Sequence, residues 1–159
     1  MPVNLSRLYF IHITAIAAGI LSTYFPGMDI LVALLYLLLI GFEARRAYQL
    51  PRWKQSLTAL IWQAPGILWA LILITSFNLM GVYEYAIFLL QFWFTPLLGV
   101  ISLSGWYFYF DKPIYYYLLI YLPFISFLYY LGIASFMYPK TRFDFNQPSR
   151  ISFIKPRDN

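Results

Sequence analysis

Leu57–Leu79 reads LTALIWQAPGILWALILITSFNL, twenty-three residues without one acidic or basic side chain. As a helix it would rise about 35 Å, enough to cross the roughly 30 Å hydrocarbon core of a bilayer. Four further apolar runs flank it: Leu8–Phe25, Ile30–Phe42, Tyr85–Ser104 and Ile114–Met137. All six carboxylates (Asp29, Glu43, Glu84, Asp111, Asp144 and Asp158) fall at run ends or between runs. Hydrocarbon imposes that pattern, since a charge at mid-bilayer costs about 3 kcal/mol even on the mildest scale. The expected fold is an all-α integral membrane protein: a polytopic helical bundle of five transmembrane spans within residues 1–138, followed by a basic, partly apolar C-terminal tail at 139–159.

Composition points the same way. The chain is 62% apolar and 11% charged, against about half and about a quarter in soluble domains. Fifteen Tyr, fifteen Phe and five Trp make it unusually aromatic. Tyr and Trp favour the headgroup zone, where a ring is dry and its polar tip wet. Many sit at run ends, among them Tyr83, Tyr85, Trp106, Tyr107, Tyr115, Tyr116, Tyr129, Tyr130 and Tyr138. There is no cysteine, which excludes disulfides, thiolate metal sites, a cysteine nucleophile and palmitoylation. The net charge of +5 comes from basic residues beside apolar runs, where the positive-inside rule and anionic headgroups account for them. Nucleic acid is not an expected partner, because no base-stacking module and no basic soluble face accompanies the charge. The first run follows Arg7 as a signal peptide would, but it is too long for an h-region and no small-residue cleavage site follows, so it reads as a retained span.

Along the chain, Pro26-Gly27-Met28-Asp29 is a turn between the first two spans. The second run is short, and Arg45 and Arg46 can snorkel to let its helix continue past Glu43. The segment Glu43–Ser56 carries Arg45, Arg46, Arg52 and Lys54, the strongest orientation signal, and is expected in the cytoplasm of a plasma-membrane protein. These four cations read as topology anchors or lipid-headgroup contacts. Pro51 ends the second helix. Pro65-Gly66, Pro96 and Pro123 are expected kinks in the third, fourth and fifth spans. The two halves match in neither length, charge nor proline spacing, so the inverted repeat of many transporters is absent.

One conflict stands. Three spans separate the basic Glu43–Ser56 loop from the basic tail, which puts them on opposite sides of a membrane. Four crossings plus one re-entrant segment would reunite them, and the fourth run, with Gln91 and Pro96, is a candidate for that segment. Run length is the firmer signal, and five full spans are the expectation.

The intramembrane polar residues form three sets. His12, the lone histidine, shares a helical stripe with Ala15, Gly19 and Ser22, of which Ala15 and Gly19 make a small-xxx-small packing pair. Gln63 shares a face with Gly66 and Ala70, at a depth where a His12–Gln63 hydrogen bond is geometrically possible. Gln91, Thr95, Gly99 and Ser102 lie at offsets of 4, 8 and 11 on the fourth run, as a packing face or a solute path would require. Packing is the default for all of them; a haem-ligand or proton-carrier role for His12 is the sharper alternative.

Much chemistry is excluded. One histidine cannot build a His-Glu-x-x-His or three-histidine zinc site. No phosphate loop and no Gly-x-Gly-x-x-Gly turn occurs. Paired intramembrane aspartates, clustered carboxylates for magnesium and a deep relay carboxylate are all missing. No cofactor is implied. The leading expectation is a non-enzymatic assembly partner, anchor or accessory subunit that meets the lipid bilayer and another membrane protein or a second copy. The alternatives are a small oligomeric channel or permease lined by the fourth span, and a membrane enzyme using His12 or Glu43 on a lipid-like substrate.

Overall fold

The computed structural model describes residues 5–75, 81–104, 107–109 and 112–136, with Glu84 by its backbone alone. The tail at 139–159, and with it the boundary after residue 138, lies outside the described residues. Within them the chain is helical: α1 Leu5–Ser22, α2 Met28–Ala47, α3 Arg52–Thr75, α4 Val82–Trp93, α5 Thr95–Ser102 and α6 Ile114–Phe136. A two-residue antiparallel ladder, β1 Phe108–Tyr109 on β2 Lys112–Pro113, precedes α6. Gly27 and Gly81 hold φ of +80° and +76°, the left-handed turns that release α2 and α4, and glycine adopts them without a Cβ penalty.

Three helices, α1, α3 and α6, are long and apolar enough to cross a membrane; the bent pair α4–α5 makes a fourth if counted as one span. α2 has twenty residues. Asp29, Glu43, Arg45 and Arg46 crowd its ends, and its uninterrupted apolar stretch remains Ile30–Phe42.

The fourth run departs from the expected single kinked helix. It breaks into α4 and α5, which meet at 96°. The cause is local. Pro96 has no N–H to give the Phe92 carbonyl, and its ring crowds the preceding turn. Thr95 Oγ1 takes that carbonyl instead at 2.8 Å, and the Gln91 carbonyl at 3.2 Å. Phe94 leaves helical geometry at φ −96°, ψ 16°, and the proline opens α5 as its first or second residue, where a missing N–H is harmless. Pro65 and Pro123, in contrast, sit inside continuous α3 and α6.

The bundle has two distinct ends. At one, Glu43 near the end of α2 meets Arg7 at the start of α1 (2.9 Å) and Arg46 (2.8 Å). Gln55 at the start of α3 donates to the Ala47 and Leu50 carbonyls, closing the α2–α3 turn. α6 finishes at this same end: Tyr129 Oη donates to the Leu37 carbonyl at 2.9 Å, and Tyr129 and Ile133 lie over Gly41. At the other end are the α1–α2 turn and the start of α6. α5 packs there with its Gly99 against Asp29, in the first turn of α2.

Alanines close the helix contacts around a few large buried side chains, among them Trp62, Phe94 and Tyr130. Ala33, Ala44, Ala47, Ala59, Ala70, Ala86 and Ala134 are wholly buried, whereas exposed leucines and phenylalanines line the outer faces of α1, α2, α3, α4 and α6. In the three candidate spans only 28%, 33% and 39% of residues are buried. Close contacts through small residues with bulky apolar groups turned outward are compatible with a membrane, where hydrophobicity does not drive helices together. Glycine substitutions test the contacts. A Cβ on Gly99 would lie 2.7–2.8 Å from Asp29, so Gly99→Ala should destabilise by about 1–3 kcal/mol in detergent unfolding. Gly132 meets nothing within 4 Å, and Gly132→Ala should stabilise α6 by about 0.5–1 kcal/mol.

Candidate functional site

The middle of the bundle holds a polar, aromatic cluster built by five helices. α1 contributes His12, which is wholly buried on the stripe Leu8, His12, Ala15, Ile16, Gly19 and Ser22. α2 contributes Tyr36, whose Oη shares a 2.7 Å hydrogen bond with His12 Nδ1. α4 contributes Trp93, whose ring lies 4.2 Å from the His12 ring, centroid to centroid. α3 contributes Trp62, edge-on to His12 at 6.1 Å, with Gln63 beside it. Tyr130 of α6 continues the cluster, 6.0 Å from Trp62. A Tyr9 Oη–Ile61 carbonyl bond of 2.7 Å and an edge contact of Tyr9 with Trp93 fasten α1 to α3 and α4 nearby.

The α4–α5 break delivers Trp93 and Phe94 to this depth. Phe94 is wholly buried, and its ring and the Trp93 ring lie over Gly66, in the middle of α3, where a Cβ would meet them at 2.9–3.1 Å. On the other side of the break, Thr95 lies against Gly19 of α1. The bend between α4 and α5 is thus seated between α1 and α3.

The structure brings some sequence-derived residues together and separates others. His12, Ala15, Gly19 and Ser22 all face inward, as do Gln63, Gly66 and Ala70. His12 takes Tyr36, not Gln63, as its hydrogen-bond partner. Gln63, although wholly buried, makes no hydrogen bond through either side-chain atom. The Gln91–Ser102 offsets do not form one stripe, because the break divides them. Gln91 donates to Tyr115 Oη at 3.0 Å, Thr95 serves the broken turn, Gly99 lies on Asp29, and Ser102 Oγ returns to the Gly99 carbonyl. Arg45, Arg46, Arg52 and Lys54 all lie at the Glu43 end, Arg46 in its ion pair and Lys54 over the Trp53 ring.

Tyr36, Trp62 and Trp93 were not singled out by sequence, and Tyr130, expected at a run end in the headgroup zone, is instead wholly buried beside Trp62. Tyr36 carried a usable signal: it stands midway in the apolar run Ile30–Phe42, too deep for its hydroxyl to reach headgroups, so it needs a partner inside. The cluster is rich in neutral hydrogen-bond donors. Its histidine is occupied on one nitrogen and lies against the tilted Trp93 ring, and no group of three or more His, Asp or Glu stands together among the described residues. No family model, curated protein or solved structure matches the chain. Tyr36→Phe leaves His12 Nδ1 unpaired in the core and should cost about 1–2 kcal/mol. Thr58→Val removes only a bond to its own helix backbone and should stay within about 0.5 kcal/mol, both read from unfolding in one detergent.

Proposed function

We propose that the chain is a multi-pass plasma-membrane protein with four crossings and one re-entrant hairpin, and that it acts as a non-enzymatic assembly partner or accessory subunit. Four crossings (α1, α2, α3, α6) with α4–α5 folding back are supported by the ends of the bundle. Phe136, the last described residue of α6, leaves at the end that holds Glu43 and Gln55, and on the proposed reading the tail follows on the side of the Glu43–Ser56 loop. Both are basic, and the positive-inside rule then assigns that side to the cytoplasm. The re-entrant reading also suits the backbone. Non-helical residues at membrane depth are tolerated where protein covers them, and Phe94 is wholly buried.

The observation that carries the assembly role is α2. Its apolar stretch Ile30–Phe42 rises only about 20 Å, against a hydrocarbon core of roughly 30 Å. A span this short is relieved by thinning of the bilayer, by snorkelling or by association with neighbours. One face of α2, with Leu31, Leu34, Leu35, Leu38 and Phe42, is bare of protein. A partner helix or a second copy laid on that face would spare the mismatch. The channel reading draws little from the structure, since Gln91, Thr95 and Ser102 are occupied by local bonds. An enzymatic role draws no more, with His12 bonded and set against the Trp93 ring and Glu43 held by two guanidinium groups.

Extracted in mild detergent, the protein should migrate as a complex larger than its 18.8 kDa chain; a lone monomer contradicts the proposal. Leu34→Ala with Leu38→Ala should weaken that complex about tenfold or more, equivalent to about 1.4 kcal/mol. Gln91→Leu with Thr95→Val should leave it intact. Loss of a solute flux in that second variant would favour the permease instead.

A further inference from the structure

α6 leaves a groove open along its last turns, at the end of the bundle that holds Glu43. Tyr129, Gly132, Ile133 and Phe136 line it, and its volume is about 380 Å³. The spacing of these four residues puts them on one face of the helix, and the groove follows that face for about 10 Å. Its floor is Gly132, where a Cβ would meet nothing within 4 Å. Its lining side chains hold one polar atom, the Tyr129 hydroxyl, and that already donates to the Leu37 carbonyl of α2. Phe136 is 92% exposed. The groove therefore offers an occupant dispersion contact and no hydrogen bond, which suits hydrocarbon.

The rim of the groove is charged. α2 and α6 run side by side in the same direction: Tyr129 bonds to Leu37, and Tyr129 and Ile133 lie over Gly41. One further turn in that register sets Phe136 of α6 level with Arg45 of α2, four residues beyond Gly41. Arg45 is exposed there, and Arg46 beside it keeps more than half of its side chain in the open. Arg7, Arg52 and Lys54 stand at the same end. Among the described residues Glu43 is the one carboxylate at that end, which leaves a clear positive excess. A dry groove joined to a cationic rim is complementary to a molecule with a hydrocarbon chain and an anionic head. A guanidinium, with five N–H donors in a fixed fork, suits a phosphate.

We propose that this groove seats one acyl chain of an anionic phospholipid, with the phosphate held by Arg45 at the end of α2. The chain covers Gly132, and the arginine selects the headgroup. The bound lipid bridges α2 and α6 at the end where Glu43 fastens α2 to α1. The chain's own tail is a poorer occupant, since Lys140, Arg142 and Asp144 flank Phe143 and Phe145 and a dry groove would strip their charges of water. The site rests on the membrane reading of the chain and is independent of the assembly role.

The test uses the full chain in a neutral detergent, with thermal unfolding as the readout. It is titrated with dioleoylphosphatidylglycerol, with dioleoylphosphatidylcholine, and with glycerophosphate, which has the head and no acyl chain. Phosphatidylglycerol should raise the midpoint saturably, by about 5 °C. Phosphatidylcholine should bind about fivefold more weakly, and glycerophosphate should have no effect. Gly132→Leu fills the groove and should weaken the apparent affinity about tenfold or more. Arg45→Gln should weaken it about fivefold and erase the preference between the two lipids, while Thr58→Val should respond as the parent does. Should Gly132→Leu fail to fold, the lost preference in Arg45→Gln decides alone. An equal response of the parent to both lipids, an unchanged response in Gly132→Leu, or a full shift with glycerophosphate overturns the site. A lipid response that appears only after residues 139–159 are removed gives the groove to the tail and overturns it too. So does a midpoint that follows protein concentration and ignores lipid, which gives the groove to a second copy. Each of these results comes from a folded protein held in detergent, whereas failure of the membrane reading shows as recovery without amphiphile.

Discussion

Hydrocarbon neither donates nor accepts a hydrogen bond, and on the membrane reading the backbone and most polar side chains of this chain answer to that constraint. Backbone groups pair inside helices. Where the fourth run breaks, the Thr95 hydroxyl takes the carbonyl that Pro96 abandons. Where α2 hands over to α3, the Gln55 amide takes two turn carbonyls. Tyr129 and Tyr9 spend their hydroxyls on the backbones of neighbouring helices. Charges withdraw to the ends, and the buried carboxylate among the described residues, Glu43, is matched by Arg7 and Arg46. That ion pair also fixes which ends of α1 and α2 adjoin.

The hairpin α4–α5 is where architecture and function meet. By bending back it leaves α6 to start at the end that holds the α1–α2 turn and to finish at the end that holds Glu43. It also carries Trp93 and Phe94 to the middle of the bundle, onto Gly66 and beside His12. The polar centre thereby gains a wall from an element that enters and leaves at the same end. The short apolar stretch of α2, in turn, leaves one outer face that a neighbouring helix would suit. Centre and face are separate: one concerns what the fold encloses, the other what encloses the fold.

Much of this was legible in the sequence. The apolar runs gave α1, α2, α3 and α6 with shifts of a few residues at their ends, because absence of charge over about twenty residues is a strong signal. The inward stripes of His12 and Gln63 followed from helical periodicity. The break at Phe94 was not legible as such. Three prolines sat within long runs, and only at Pro96 does the chain turn, where the hydroxyl of the preceding threonine donates to the freed carbonyl and leaves α5 to start afresh. Composition marks the run and says nothing of its direction. The aromatic wall escaped for a related reason: tyrosine and tryptophan are so common here that interface placement accounted for most of them, and Trp62 and Trp93 become partners of His12 only once α4 is folded inward.

The central claim is that this chain lies in a bilayer with its fourth run folded back. Single cysteines at Gln49, Thr23 and Ser149 test it directly, since the chain has no cysteine of its own. With the protein in sealed membranes and an impermeant thiol reagent outside, Gln49→Cys and Ser149→Cys should share one accessibility and Thr23→Cys should show the other. Ser149→Cys behaving like Thr23→Cys would mean an odd number of crossings between loop and tail. Recovery of the protein in buffer without amphiphile would contradict the whole account.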